Sequence, residues 1–211
     1  MDEIKSAGGE VAMTVADVSK ETDCKEMVDT AVTTFGGLHV AFNNAGVFRP
    51  STLVEITEGT IDDILNTNLK SHAWCFKYQI PAMAKTAGGK GSIIVNTSCT
   101  ALRPSALPGM EAVAMYAASK AGAEMLMKYA AIEGAASNVR VNSVVPGTVQ
   151  TAFQAGVSYD MLAKATETTQ LMKRLIQPEE VAKVVIFLAS EDAAMVTGST
   201  YAMDGGWTIK A

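Results

Sequence analysis

The sequence predicts an α/β fold: one domain, doubly wound around a mostly parallel sheet. Three observations predict it. Apolar runs of strand length alternate with longer helical stretches, and parallel strands need a crossover of that size between them. A sheet of this kind is covered by helices on both faces, so its strands read as near-continuous apolar runs. A chain of 211 residues with no internal repeat, low-complexity tract or Pro/Ser-rich linker fits a single domain.

The start, MDEIKSAGGE, reads as the tail of a helix. A strand at 11–17 (VAMTVAD), a helix at 21–35, a strand at 38–43 (LHVAFN), a long helix at 59–86 and a strand at 91–98 (GSIIVNTS) follow. A helix at 111–136, a strand at 139–145 (VRVNSVV), a helix at 178–190 and a strand at 199–204 (STYAMD) complete the order. The helix at 178 opens with QPEE: Pro178 suits a first helical position, and the glutamates face the positive end of the helix dipole. Gly36-Gly37, Gly88-Gly89, Gly134 and Gly205-Gly206 stand where elements should stop. Residues 151–177 have little strand character, and connections of that length in a compact domain are commonly lids or binding loops.

Apolar residues make up 48% of the chain and charged ones 18%, which places it among globular proteins. The net charge of −5, with scattered lysines, offers no basic stripe, so no nucleic acid is expected as a partner. Cys24, Cys75 and Cys99 are odd in number and far apart, with no zinc or disulfide spacing; they read as small core residues in a reducing compartment. No apolar run approaches the roughly 18 residues of a membrane span, and the charged start is unlike a signal peptide, so a cytoplasmic protein without a membrane partner is expected.

Open α/β sheets bind ligands beyond the carboxyl ends of their strands. Those ends read ADV (Asp17, Val18), NNAG (Asn43 to Gly46), NTSCT (with Ser98) and VVPGTVQT (with Pro146, Gly147 and Thr151). Small, polar and glycine residues there make a floor on which a flat ligand can lie against backbone. Between the last two ends lies MYAASKAG, where Tyr116 and Lys120 are four residues apart and so share a helix face. Ala117, Ala118, Ala121 and Gly122 let that helix approach the sheet, a partner helix or a ligand. At about 5 Å and an effective dielectric near 20, the ammonium would help a phenolate by roughly 3 kcal/mol, or about two pKa units. Such a pair also arises by chance in Ala-rich helices, and a serine at a strand end is commonly a turn or cap residue.

Taken together and in this order, NNAG, YAASK, NSVVPGTVQT and YAMDGGW resemble the short-chain dehydrogenase/reductase family, and the match runs through essentially the whole chain. The resemblance implies a Rossmann-like fold and an oxidoreductase that moves hydride between NAD or NADP and a secondary alcohol or ketone. It implies that Tyr116 is the general acid/base, that Lys120 tunes it and binds the cofactor ribose, and that Ser98 holds the substrate oxygen. Asn68, in NTNLKS, matches the asparagine that supports a water relay to the lysine. For cofactor contacts it assigns Asp17 and Val18 to the adenine, Asn43, Ala45 and Gly46 to the ribose side, and Pro146, Gly147, Val149 and Thr151 to the nicotinamide end. Asp17 also reads as a helix cap and Pro146-Gly147 as an ordinary turn. Phe153, Met161, Leu162, Leu171 and Met172 suggest an apolar substrate wall, and Thr97 is a second candidate hydroxyl.

Eighteen positions separate Ser98 from Tyr116 (116 − 98), more than in many family members, with the extra length in RPSALPGMEA, where Pro104, Pro108 and Gly109 suggest a loop. No metal is expected: neither His39 nor His72 has the context of a ligand or of a partner for Cys99. A homodimer or homotetramer built on the helices at 59–86 and 111–136 is implied. The family pattern opens with a strand, a glycine-rich turn, a helix and a second strand that this sequence does not contain. The expected fold therefore lacks the family's first two strands and first helix, and GGKGS (88–92) precedes a strand where a phosphate-binding turn follows one. The strand at 11–17 would then pair with the one at 38–43 or leave both edges open. An N-terminally truncated member that binds cofactor poorly or not at all is expected; a catalytically silent fragment acting through association is the alternative.

Overall fold

In the computed structural model, which describes residues 1–86, 90–104, 110–154 and 158–210, four strands form one sheet. They are β1 (Val40–Asn43), β2 (Gly91–Asn96), β3 (Val139–Pro146) and β4 (Thr200–Met203), all parallel and in the order β1-β2-β3-β4. Helices α1 (Asp2–Ser6), α2 (Glu21–Phe35), α3 (Glu58–Leu65), α4 (Ser71–Lys85), α5 (Ala114–Ala135), α6 (Tyr159–Thr169) and α7 (Pro178–Ala189) surround it. The register sets Asn43 opposite Val95, Asn96 opposite Val144 and Pro146 opposite Met203, so the carboxyl ends reach one edge together.

The alternation of side chains along β2 explains the two helical layers. Ile93 and Val95 point to one face and pack with Phe76 and Met83 of α4 and Met127 of α5. Ile94 points to the other and packs with Val181 and Leu188 of α7. Full burial of each such side chain contributes about 1.5–3 kcal/mol. Local signals fix the ends. Helix α2 stops at Gly36, whose φ of +80° few side chains tolerate. Helix α7 starts with Pro178 at its first position, and the Glu180 carboxylate accepts a hydrogen bond from the Gln177 N–H at 2.8 Å.

The segment 11–17 is not a strand. No strand among the described residues pairs with it, and Met13 and Val15 are 72% and 91% exposed. Without a neighbour to satisfy its N–H and C=O groups, an apolar run has no reason to adopt the ladder. Of the two outcomes expected, the open edge holds: β1 pairs with β2 alone, and Val40 and Phe42 stay exposed. The long helix at 59–86 is interrupted at Asn66–Lys70 by a π-helical turn between α3 and α4. The connection at 151–177 contains α6, capped by the Ser158 hydroxyl, which accepts from the Met161 N–H. Its base is pinched where Val149 bridges Ile176. Gly134 stands in the last turn of α5, one residue before its end at Ala135, and a side chain there would meet the Val139 carbonyl at 2.7 Å, so it also serves close approach to the sheet. The expected turn at Gly88-Gly89 and the loop residues Pro108 and Gly109 fall outside the described residues. Cys24, Cys75 and Cys99 are buried and unbridged.

Candidate active site

Beyond β2 the chain stays extended through Ser98, then makes a short turn at Cys99–Ala101. The Ser98 hydroxyl caps that turn, accepting from the Thr100 N–H at 3.3 Å and sharing a hydrogen bond with the Thr100 hydroxyl at 3.0 Å. The same serine lines a cavity of about 670 Å³, so its capping role and its place in the site coexist. Tyr116, in the first turn of α5, faces that cavity, with Phe48 edge-on at 5.2 Å between ring centroids and Phe153 at 6.3 Å. Pro146, Gly147, Val149 and Thr151 come to the same cavity from the end of β3. A side chain at Gly147 would stand 3.0 Å from the Asp204 Cα, a tight contact, so glycine suits the close approach of the ends of β3 and β4.

Lys120 is almost fully buried behind the phenol. Its ammonium donates to the Asn96 carbonyl at 2.9 Å and stands 5.8 Å from the centroid of the Tyr116 ring. Asn68, in the π-helical turn, accepts from the Val47 N–H at 2.8 Å and donates to the Val47 carbonyl at 2.9 Å and the Ser119 hydroxyl at 3.3 Å. These bonds fix the chain just past Gly46. A side chain at Gly46 would stand 3.2 Å from Asn68 Oδ1 and 3.4 Å from Lys120 Nζ.

The electrostatics differ from the expectation. Burial pushes the Tyr116 phenol up to about 12, opposed by its interaction with the Ser98 hydroxyl, and Lys120 is not among the groups that lower it. Burial also pulls the Lys120 ammonium down to about 8, with Glu124 acting in the opposite sense. Desolvation disfavours both charged forms and outweighs the attraction expected from spacing alone.

The remaining predicted residues separate. Val18, Asn43 and Ala45 line a second cavity of about 240 Å³ between β1, α2 and α4. The Asn43 amide is paired reciprocally with that of Gln79, at 3.1 and 2.7 Å. Asp17 lines neither of these cavities; its carboxylate accepts from the N–H and hydroxyl of Ser19 and lies 3.5 Å from Lys20, as a residue leading into a helix does. Thr97 lines the larger cavity, but its hydroxyl is given to Glu124. Of the apolar lid residues, Phe153 and Leu162 line the cavity, whereas Met161 is exposed, Leu171 packs at Gly206 and Met172 lies by a different hollow beside Arg174. Phe48 and Trp207 also line the cavity and were missed; Phe48 sits two residues past NNAG, where the rule of strand ends could have found it.

A family profile described as Enoyl-(Acyl carrier protein) reductase matches residues 1–208. A cyclohexanol dehydrogenase from Acinetobacter is 38% identical over all 211 residues, which cover 80% of that protein. The chain belongs to the short-chain dehydrogenase/reductase family. Dehydrogenase/reductase SDR family member 4 of Bos taurus is 37% identical over 96% of this chain and 71% of its own length. An A-factor type gamma-butyrolactone 1'-reductase of Streptomyces virginiae is 34% identical over 99% of this chain and 80% of its own. The crystal structure of a short-chain type dehydrogenase/reductase from Mycobacterium marinum superimposes with a TM-score of 0.91 at 28% identity, covering 99% of this chain and 80% of that one. This short-chain dehydrogenase/reductase is thus an oxidoreductase by class, on a Rossmann-type parallel sheet.

Proposed function

We propose that the chain interconverts a secondary alcohol and a ketone with NAD or NADP, and that Tyr116 is its general acid/base. One observation carries this reading: Ser98 and Tyr116 line one cavity while the Lys120 ammonium is buried directly behind the phenol. The residues fit a nicotinamide nucleotide. Among the described residues Lys120 has Asn96 as its one acceptor for three ammonium hydrogens, and bare backbone at Gly46 lies beside it, as a ribose diol requires. Val18 would hold the adenine, Asn43, Ala45 and Gly46 the ribose side, and Pro146, Gly147, Val149 and Thr151 the nicotinamide end, while Asp17, engaged with Ser19 and Lys20, lies outside the cavity that Val18 lines. When bound, the nicotinamide supplies or takes up hydride at the substrate carbon, which no side chain can do.

The protein's part is to hold the oxygen and move the proton. Ser98 donates to the substrate oxygen and fixes its direction. A phenol held near 12 is neutral at physiological pH, the form that can hand its proton to a ketone oxygen as negative charge develops there. Lys120, ammonium below about pH 8, stabilises the phenolate left behind. The rings of Phe48 and Phe153, with Leu162 and Trp207, suit an uncharged, apolar substrate; Arg49 at the rim is already paired with Asp63 at 2.7 Å. Relatives named for a cyclic alcohol and a butyrolactone are in keeping with such a wall.

The reading includes a homo-oligomer in the cytoplasm. Ala118, Ala121, Met125, Tyr129 and Ile132 recur at three- and four-residue spacing on the open face of α5, a stripe that a second copy would cover. Sedimentation as a monomer would remove that part. No helix among the described residues is long and apolar enough to cross a membrane. The test of the chemistry is Tyr116→Phe, assayed by reduced-cofactor absorbance on a panel of alicyclic alcohols and ketones. Turnover should fall about 100- to 10,000-fold with the fold intact by circular dichroism. Retained turnover would take Tyr116 out of the reaction.

A further inference from the structure

Three buried ionisable side chains occupy one face of α5 at successive turns: Tyr116, Lys120 and, four residues on, Glu124. Glu124 is 6% exposed, and no Lys or Arg among the described residues lies within salt-bridge distance of it. Hydroxyls surround it instead. Its Oε1 accepts from Thr97, and its Oε2 accepts from Ser143 at 2.9 Å and from Thr200 at 2.8 Å. One carboxylate is therefore tied to the end of β2, to β3 and to β4 at once. Thr97 is the residue before Ser98, so the tie spans the strand end that bears the serine and the helix that bears the tyrosine and lysine. Each of those hydroxyls donates to the carboxyl group, so its position is fixed from three sides.

We propose that Glu124 is a positioning residue of the active site, the counter-charge that keeps the Lys120 ammonium protonated at working pH and the clamp that holds Ser98 in register with Tyr116. The proposal rests on the reading of Tyr116 and Lys120 given above. Lys120 has no carboxylate within bonding distance; the groups that face it are Tyr116 and Glu124 from its own helix, the Asn96 carbonyl from β2, Asn68 from the π-helical turn and His72 from α4. His72, buried with both ring nitrogens unpartnered and pushed down to about 3 by burial and by Lys120, is neutral and supplies no counter-charge. Glu124 is the remaining carboxyl group on that face, and it acts to raise Lys120 against burial. It sits one turn away, far enough to leave the ammonium free for a ligand, and near enough to oppose the burial that drives Lys120 toward the neutral amine.

The test compares Glu124→Gln, which removes the charge at constant shape, with Glu124→Asp, which keeps the charge and shortens the reach. In the pH dependence of kcat/KM, activity requiring the Lys120 ammonium is lost as pH rises through its pKa. Glu124→Gln should move that alkaline midpoint down by about one pH unit or more. Glu124→Asp should lower the rate while leaving the midpoint within about 0.3 of a unit of the parent enzyme. A pH-independent loss in Glu124→Gln, or an equal shift of the midpoint in Glu124→Asp, overturns the proposal. If Glu124→Gln does not fold, the midpoint of Glu124→Asp decides alone. Tyr116→Phe separates the two readings: if it stays active, the parent reading fails, and if it is inactive while Glu124→Gln titrates like the parent enzyme, Glu124 alone is wrong.

Discussion

Strand β2 and the segment 11–17 are made of the same kinds of side chain, yet Ile93, Ile94 and Val95 are closed to water while Met13 and Val15 stand open to it. The difference lies in their neighbours. β2 has β1 on one side and β3 on the other, with helices on both faces, so every ladder bond and every apolar side chain finds a partner. The segment 11–17 has no paired strand, and β1, beside β2, has pairing on one side alone. Strand structure is thus a property of pairs, and apolar composition is a requirement for it but not a cause.

The largest expected effect is in the middle of the sheet. Ile94→Ala should cost about 2–5 kcal/mol in denaturant unfolding, because it leaves a cavity between β2 and α7. At the open edge, Phe42→Lys should change stability by under about 1 kcal/mol and reduce concentration-dependent self-association seen by light scattering, since charge on an edge strand opposes edge pairing. Unchanged association would show that β1 is not the adhesive surface. The smallest effect belongs to Val15→Ala, expected within about 0.5 kcal/mol of the parent chain. A loss there as large as that of Ile94→Ala would mean that residues 11–17 are packed in solution, and the contrast would disappear.

What could be read beforehand follows the same division. The strands that became β1 to β4, the stop at Gly36 and the start at Pro178 were legible because each is written in local chemistry: apolar runs, a positive φ, a proline without an N–H. Ser98 and Tyr116 were legible because strand ends and i, i+4 spacing are geometric rules. The desolvation of Tyr116 and Lys120 was not, since it depends on how Phe48 and the sheet close over them. Glu124 was missed although a carboxylate amid alanines and methionines, eight residues past Tyr116, was visible in the sequence; its partners come from three strands far apart in the chain. Nothing in NTNLK marks it as other than ordinary helix.

That π-helical turn carries one more residue than an α-helical turn would, and each residue advances a helix by about 100°. α3 and α4 are therefore out of phase with each other by design of length rather than by a bend. The offset is what lets Asn68 look toward Val47 while Leu69 nestles against Gly122 and Phe76, about two turns later, still finds the sheet. Taking out a single residue between 66 and 70 would bring the two segments back into step, and the whole run of side chains downstream would face the wrong way.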